Sequence, residues 1–299
     1  MTRFFELLVS GLLFGCVYAL IAMGFVIVFK ATNVVNFAHV SVLMLGAFIV
    51  AKLNREDVEF LLAVGIAAIV CAIVAALLDV LVVGPLRRRG GGVDALAIIT
   101  IGLNIVLATE LTRQVGVDTI PSGAPWGNDT TELLGVTVQQ TRIAAAITAV
   151  ILMTLFAVAF KYSDWGVAMR STADDPETAA LMGIRLSRVA MGAWAVSGLL
   201  AAIAGAYFIS FPAAGVTNTT YLIALTAIPA AVLGGLDSTV GAVVGGLIVG
   251  AVVTLTAGYQ DELSFLGRGL NEVAPYIVLL AVLLWRPWGL FGTREATRV

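Results

Sequence analysis

Asn33, Asn36 and His39 stand three residues apart in the stretch NVVNFAH, and His39 is the only histidine in the chain. An imidazole beside amides can bind a metal, move a proton or hold a hydrogen bond. A metal site needs further nitrogen or sulfur ligands. Cys16 and Cys71 stand singly in apolar runs at no ligand spacing, and they read as buried free thiols. No Ser/His/Asp arrangement that would make a nucleophile is discernible. Hydrogen bonding remains. If the stretch is helical, the three side chains share a face. Polar groups at membrane depth face a bundle interior or a wet cavity, not lipid. Two readings stay open for Asn36 and His39. They line or gate a pathway, or they cap a helix start and fix a turn through an interhelical hydrogen bond; the second is the plainer. Thr100 and Asn104, four apart, share one face of another apolar run. Pro229 breaks a third run and frees the carbonyl four residues back. Asn36, His39, Thr100, Asn104 and Pro229 are therefore the pathway candidates. Tyr18 and Ser197 also lie inside apolar runs. Glu110 and Asp79 fall near run ends, where they can reach water, Asp79 on the side of Arg87, Arg88 and Arg89.

The elements that position these groups follow from composition. Of 299 residues, 60% are hydrophobic and 12% charged, too little charge to cover a soluble protein of this size. The reading is an all-α polytopic membrane protein, a single transmembrane domain over 1–299. At about 20 residues per span plus loops, about 8 to 10 transmembrane helices fit. Nine apolar runs are visible, at about 7–29, 34–53, 60–84, 93–112, 142–160, 189–211, 219–236, 239–257 and 273–288. Two of them, 34–53 and 219–236, are candidates for broken or re-entrant helices, which are tolerated where protein or a cavity surrounds them. The first run continues past Cys16, too long for a signal-peptide core, and reads as a retained span. The net charge of −2 excludes nucleic acid as an expected partner.

Charge placement orients the stack. Arg87–Arg89, then Lys161, Arg170, Arg185 and Arg188, then Arg286, Arg294 and Arg298 fall on one side of nine spans. The positive-inside rule makes that side cytoplasmic, placing the N-terminus outside and the C-terminus inside. The opposite loops carry Glu56, Asp57, Glu59, Asp118, Asp129, Glu132, Asp261 and Glu262. Gly11/Gly15, Gly241/Gly245 and Gly246/Gly250 have the spacing that lets helix backbones approach closely. That closeness serves either packing within one subunit or contact with a second one.

The inner loop carries the strongest local signal. In DDPETAALMG, Asp175 suits an N-cap, Pro176 the first helical position, Glu177 the first turn and Gly183 the stop. A helix of about two turns over 175–183 follows. It is too short to be stable alone and must pack on something. Its own membrane domain, the lipid interface and another protein's cleft are all candidates.

AMRSTADDPETAALMGIRLSRV resembles the cytoplasmic loop of permease subunits of ATP-binding-cassette importers of the branched-chain amino acid (LivH) type. The resemblance runs along nearly the whole chain. GLLFGCVYALIAMGFVIVFKATNVVNFAHVSVLMLGAF is similar to the family's opening pair of helices, VGPLRRR to the basic turn after the third, and IITIGLN to the next helix start. AAVLGGLDSTVGAVVGGLIVG resembles the Gly-rich pair near the end, and LLWRPWGLFG the closing signature. Val40 and Asp237 depart from the family's usual Gly and neutral residue.

The resemblance implies an importer for branched-chain amino acids, or in related systems urea or short-chain amides. It implies a second, LivM-like permease subunit, two ATPase subunits and an extracytoplasmic substrate-binding protein, all within membrane lipid. It makes Asp174, Asp175, Pro176, Glu177, Ala179, Ala180, Leu181, Met182 and Gly183 the coupling segment that meets the ATPase. No cofactor is expected on this chain. It has no GxxxxGK[ST] phosphate loop, so ATP and Mg belong to the partner subunits. An ion-coupled secondary transporter would call for paired intramembrane carboxylates or matched unwound segments, and no convincing set is visible.

Overall fold

A computed structural model describes residues 2–122, 129–133, 136–210, 215–217, 219–263, 265, 267 and 269–293. Arg294 and Arg298 of the basic clusters lie outside the described residues. The chain runs α1 (Thr2–Thr32), α2 (His39–Arg55) and α3 (Phe60–Leu78). A π-helical turn, Asp79–Val83, joins α3 to α4 (Gly84–Arg88), and α5 (Val93–Val115) follows. A hairpin of β1 (Thr130–Leu133) and β2 (Val136–Gln139) pairs Thr130 with Gln139 and Leu133 with Val136. Next come α6 (Gln140–Tyr162), α7 (Asp164–Asp174), α8 (Pro176–Leu181) and α9 (Leu186–Ser210). The chain closes with α10 (Thr220–Ala224), α11 (Ile228–Gly234), α12 (Thr239–Gly258) and α13 (Leu270–Trp285).

Among the described residues, six helical stretches are long and apolar enough to cross a membrane by length and composition: Arg3–Thr32, Phe60–Arg88, Val93–Val115, Gln140–Tyr162, Leu186–Ser210 and Thr239–Gly258. The other three apolar runs form shorter helices, α2, the interrupted α10–α11 and α13. Helix α1 is the hub: from Val17 to Val28 every residue is buried. Lipid tails are as apolar as the side chains, so apolar burial does not hold such a bundle together and close backbone packing must. The glycines supply it. A Cβ on Gly246 would lie 2.3 Å from the Ala19 nitrogen, and one on Gly250 2.2 Å from the Gly15 Cα. Gly11 and Gly15 in turn face Ala251 and Leu247. Gly241 and Gly245 sit against Gly234 and Ala230 of α11. The glycine pairs therefore pack within this one subunit.

The ends of the bundle are distinguishable. Val28, Val34, Val83, Leu96 and Trp194 form one cluster, so α1 and α3 end where α5 and α9 begin. At the other end Arg3 pairs with Glu262 at 2.5 Å, tying the start of α1 to the loop after α12.

Asp79 is not the solvated end group expected. It is 2% exposed and meets Arg87 at 3.4 Å across the π turn. The wider turn brings the carboxylate back over the guanidinium within the same helical rod.

Candidate functional site

The stretch 33–38 is not helical, so Asn33, Asn36 and His39 do not share a helix face. Asn33 ends α1 in the left-handed region (φ 54°), a conformation asparagine tolerates. The chain then doubles back inside the bundle, because His39, the first residue of α2, lies level with Ile21 and Gly24 of α1. Its Nε2 is 3.1 Å from the Ile21 carbonyl and its Nδ1 2.8 Å from Ser197 Oγ on α9. A carbonyl only accepts, so Nε2–H donates to it and Nδ1 accepts from the Ser197 hydroxyl. Phe25 packs on the ring edge-to-face at 4.7 Å. Any Cβ at Gly24 would lie 2.3 Å from the ring. His39, 1% exposed, is thus a bolt joining α1, α2 and α9, the structural one of the two readings.

Of the other candidates, Asn104 meets and Pro229 belongs to the broken span, and Thr100 and Asn36 lie at the segment between α1 and α2. Thr100 of α5 pins the doubled-back segment: its hydroxyl is 3.1 Å from the Val35 carbonyl, 2.8 Å from its own helix's Ala97 carbonyl, and 3.3 Å from the Phe37 N–H that donates to it. Asn36 between them is 2% exposed, and its Oδ1 has no partner among the described residues. One helical turn beyond Thr100, the Asn104 amide donates to the Tyr221 hydroxyl of α10 at 2.5 Å, and its Oδ1 is likewise unpartnered. Unpaired buried acceptors are costly and need a reason. Thr100 and Asn104 thus lie one turn apart on α5, Thr100 against the 35–37 segment that carries Asn36 and Asn104 against Tyr221 of the interrupted helix.

Pro229 stands at the start of α11. The break is a 3-10 turn, Leu225–Ala227, between α10 and α11. The carbonyl four residues before Pro229 is that of Leu225. It takes the Ile228 N–H of the tight turn and, at 3.0 Å, the hydroxyl of Tyr276 from α13. Thr226 in the same turn meets Tyr18 of α1 at 2.9 Å. Three tyrosines, Tyr18, Tyr221 and Tyr276, thus hold the break from three sides. Tyr221, Tyr276 and Thr226 were not among the candidates drawn from sequence. The signal was present in the polar run NTTY ahead of the break and in the pairing of Tyr276 with Pro275.

Beyond Gly234, the end of α11 is strapped by the segment after α13. Leu290 and Phe291 donate N–H bonds to the Leu233 and Gly234 carbonyls at 2.9 and 3.0 Å. Asp237 accepts from the Thr293 backbone at 2.8 Å and from its hydroxyl. That contact gives the unusual acid a structural task.

The inner loop folds as two helices where one was expected. Ser163 caps α7 by accepting from the Gly166 N–H at 3.0 Å. Asp175 then caps α8. Its Oδ1 accepts from Glu177 and Thr178 N–H at 3.0 and 3.1 Å, and its Oδ2 from the Thr178 hydroxyl at 2.6 Å. The hydroxyl bond, then the backbone bonds, hold the Asp175 carboxyl below the usual carboxylate range. At the other end Gly183 adopts φ +88°, Ile184 N–H reaches the Ala179 carbonyl and Gly183 N–H the Ala180 carbonyl, both at 3.0 Å. This double closure is the glycine-terminated stop. The helix spans Pro176–Leu181, inside the expected 175–183. Ala179 alone of its residues is buried; Asp174, Asp175, Pro176, Glu177, Ala180 and Gly183 are exposed, and Leu181 and Met182 are 86% and 81% exposed.

The family model for the permease component of the branched-chain amino acid transport system matches residues 7–284. The high-affinity branched-chain amino acid transport system permease protein LivH of Salmonella typhimurium is 28% identical over 99% of this chain and 98% of its own. The corresponding permease protein BraD of Pseudomonas aeruginosa is 29% identical over the same shares. A probable branched-chain amino acid transport permease protein LivH of Methanocaldococcus jannaschii is 27% identical over 96% and 92%.

Proposed function

The chain belongs to the family of branched-chain amino acid transport permease components, and we propose that it is the membrane permease subunit of an ATP-driven importer for leucine, isoleucine and valine. It forms the translocation pathway with a second permease. Two cytoplasmic ATPases carry ATP and Mg and drive it, and an extracytoplasmic binding protein delivers the cargo. The basic loops orient it with the N-terminus outside and the C-terminus in the cytoplasm.

The observation that carries the reading is α8. A helix of six residues is unstable alone, yet this one is capped at both ends and turns Leu181 and Met182 outward. Exposed apolar side chains on a pre-formed knob suit a cleft in another protein. Docked there, α8 transmits rigid-body motion through α7 and α9. The α10–α11 break, tied to Asn104 through Tyr221, is the element that motion would shift. Its tyrosine bonds are individually weak enough to exchange, about 1 kcal/mol each net.

The test is uptake of labelled leucine, isoleucine and valine at low concentration in a strain deleted for this gene. The strain is complemented with the intact gene or with the Leu181→Asp/Met182→Asp version. Uptake restored only by the intact gene supports both cargo and coupling. Uptake that never depended on the gene removes the cargo assignment and directs the same assay to urea and short-chain amides. Full rescue by the double variant removes the role given to α8.

A further inference from the structure

A cavity lies on another part of the bundle from Thr100 and Asn104. It is an open groove of about 520 Å³ on the flank of the bundle, walled by α6 and α12 with Met23 of α1 at its floor. Val150, Met153, Val158 and Val240 make it apolar, and Lys161 and Tyr162 close one end. Tyr162 and Val240 are 71% and 61% exposed, so none of the described residues covers it.

We propose that this groove is a binding site for a phospholipid with an anionic headgroup, in the leaflet that the basic end of the bundle faces. Three observations carry it. The first is length. From Val150 to Lys161 the helix rises about 16 Å, and the acyl depth of one leaflet is about 15 Å, half the hydrocarbon core. One acyl chain lying in the groove brings its headgroup to Lys161. The second is charge. The Lys161 ammonium sits over the Tyr162 ring at 5.1 Å, while Lys30 and Arg170 both lie 5.3 Å from the Phe160 ring next to it. Arg170 also donates to the Phe160 and Lys161 carbonyls, which fixes a second cation beside the helix end that carries Lys161, the one cation in the groove lining. Asp164 is the acid nearest Lys161 in sequence, and Asp237 and Asp174 face Lys30, which leaves Lys161 as the cation offered to a headgroup. Basic pockets between membrane helices select anionic headgroups. The third is the wall chemistry. Where this fold packs helix on helix it uses glycine, as at Gly15 and Gly250. The groove is lined instead mainly by valine, methionine and phenylalanine. Such a surface suits a flexible chain more than a second helix.

The experiment uses the assembled transporter in its native membrane. Val150 is replaced by the photo-crosslinking residue p-benzoylphenylalanine, the sample is irradiated, and the intact mass of the subunit is read. An adduct with the mass of a phospholipid is expected. An adduct to a polypeptide would make the groove a protein interface and overturn the proposal, as would the absence of any adduct. The complex is then placed in discs of mixed phosphatidylglycerol and phosphatidylcholine, and the lipid adducts are sorted by headgroup. Phosphatidylglycerol should be over-represented, and Lys161→Ala should cut that preference about fivefold. Adducts that match the bulk composition in the unaltered complex would refute the headgroup assignment. Lys161 is exposed, so its replacement leaves the bundle intact.

Discussion

Gly250→Ala should destabilise the subunit although alanine is the better helix former. The new Cβ would lie 2.2 Å from the Gly15 Cα, 2.4 Å from its nitrogen and 2.6 Å from the Gly11 carbonyl oxygen. Ordinary contact begins at 3.4 Å, so the shortfall is 3.4 − 2.2 = 1.2 Å. All three neighbours are backbone and cannot swing aside, so α1 and α12 must part by about that much. A gap of this size forfeits a quarter to a half of each dispersion contact along the seam, and overpacking of this kind costs about 1 to 3 kcal/mol. Gly65→Ala is the control. It sits in α3 with nothing within 4 Å, so only helix propensity acts, in favour of alanine by about 0.5 to 1 kcal/mol. The same substitution should thus have opposite signs at the two sites, about 1.5 to 4 kcal/mol apart. Thermal unfolding in mild detergent can be followed with a thiol-reactive dye, because Cys71 is fully buried until the bundle opens. If Gly250→Ala melts no earlier than Gly65→Ala, the seam does not need its glycines. If it leaves the subunit's melting unchanged and dissociates the assembled transporter, the glycine face belongs to a subunit interface and the packing argument is refuted.

Other outcomes follow from the site. His39→Ala removes two hydrogen bonds, strands the Ser197 hydroxyl and opens a cavity, which should cost about 2 to 4 kcal/mol in the same melt; an unchanged melt would deny the bolt. Tyr276→Phe should cost at most about 1 kcal/mol, because the Leu225 carbonyl keeps the Ile228 N–H. It should nevertheless alter leucine uptake at equal subunit abundance if the break is the moving element. Asp175→Ala should loosen α8 and lower uptake without lowering the melting temperature of the bundle. The Asp175 carboxyl is more acidic folded than unfolded. Its stabilisation is therefore complete above its unfolded pKa of about 4 and lost as pH falls through the lower folded value. Hydrogen exchange of the α8 amides, corrected for intrinsic rates, should show the same protection from pH 6 to 8; a loss of protection within that range would mean that another group holds the helix.

Sequence reasoning reached what local chemistry dictates. The cap at Asp175, the stop at Gly183 and the break near Pro229 each depend on residues within a few positions. The nine apolar runs were visible for the same reason. The route of 33–38 was not, because the polar spacing of Asn33, Asn36 and His39 fits a helix equally well. Only the position of Ile21 and Ser197 in space decides that the chain doubles back. Asp79 was misplaced because a π turn shifts the register of everything after it and leaves no clear mark in apolar sequence. Tyr221 and Tyr276 were passed over because their partners, Asn104 and Leu225, lie on other helices. The short hairpin Thr130–Leu133/Val136–Gln139 lacked a strong alternating pattern to announce it.

The seam between α1 and α12 also sets a timetable. Gly15 and Gly246 are 231 residues apart in the chain, so at about 5 to 20 residues per second the ribosome needs about 12 to 45 seconds to deliver the second after the first. Through that interval α1 waits in the bilayer with its glycine face unmatched, beside other nascent helices carrying similar faces. A chain halted after α11 would hold that face open permanently. Such fragments should pair with one another and be cleared by membrane proteases, while the completed chain escapes as soon as α12 docks.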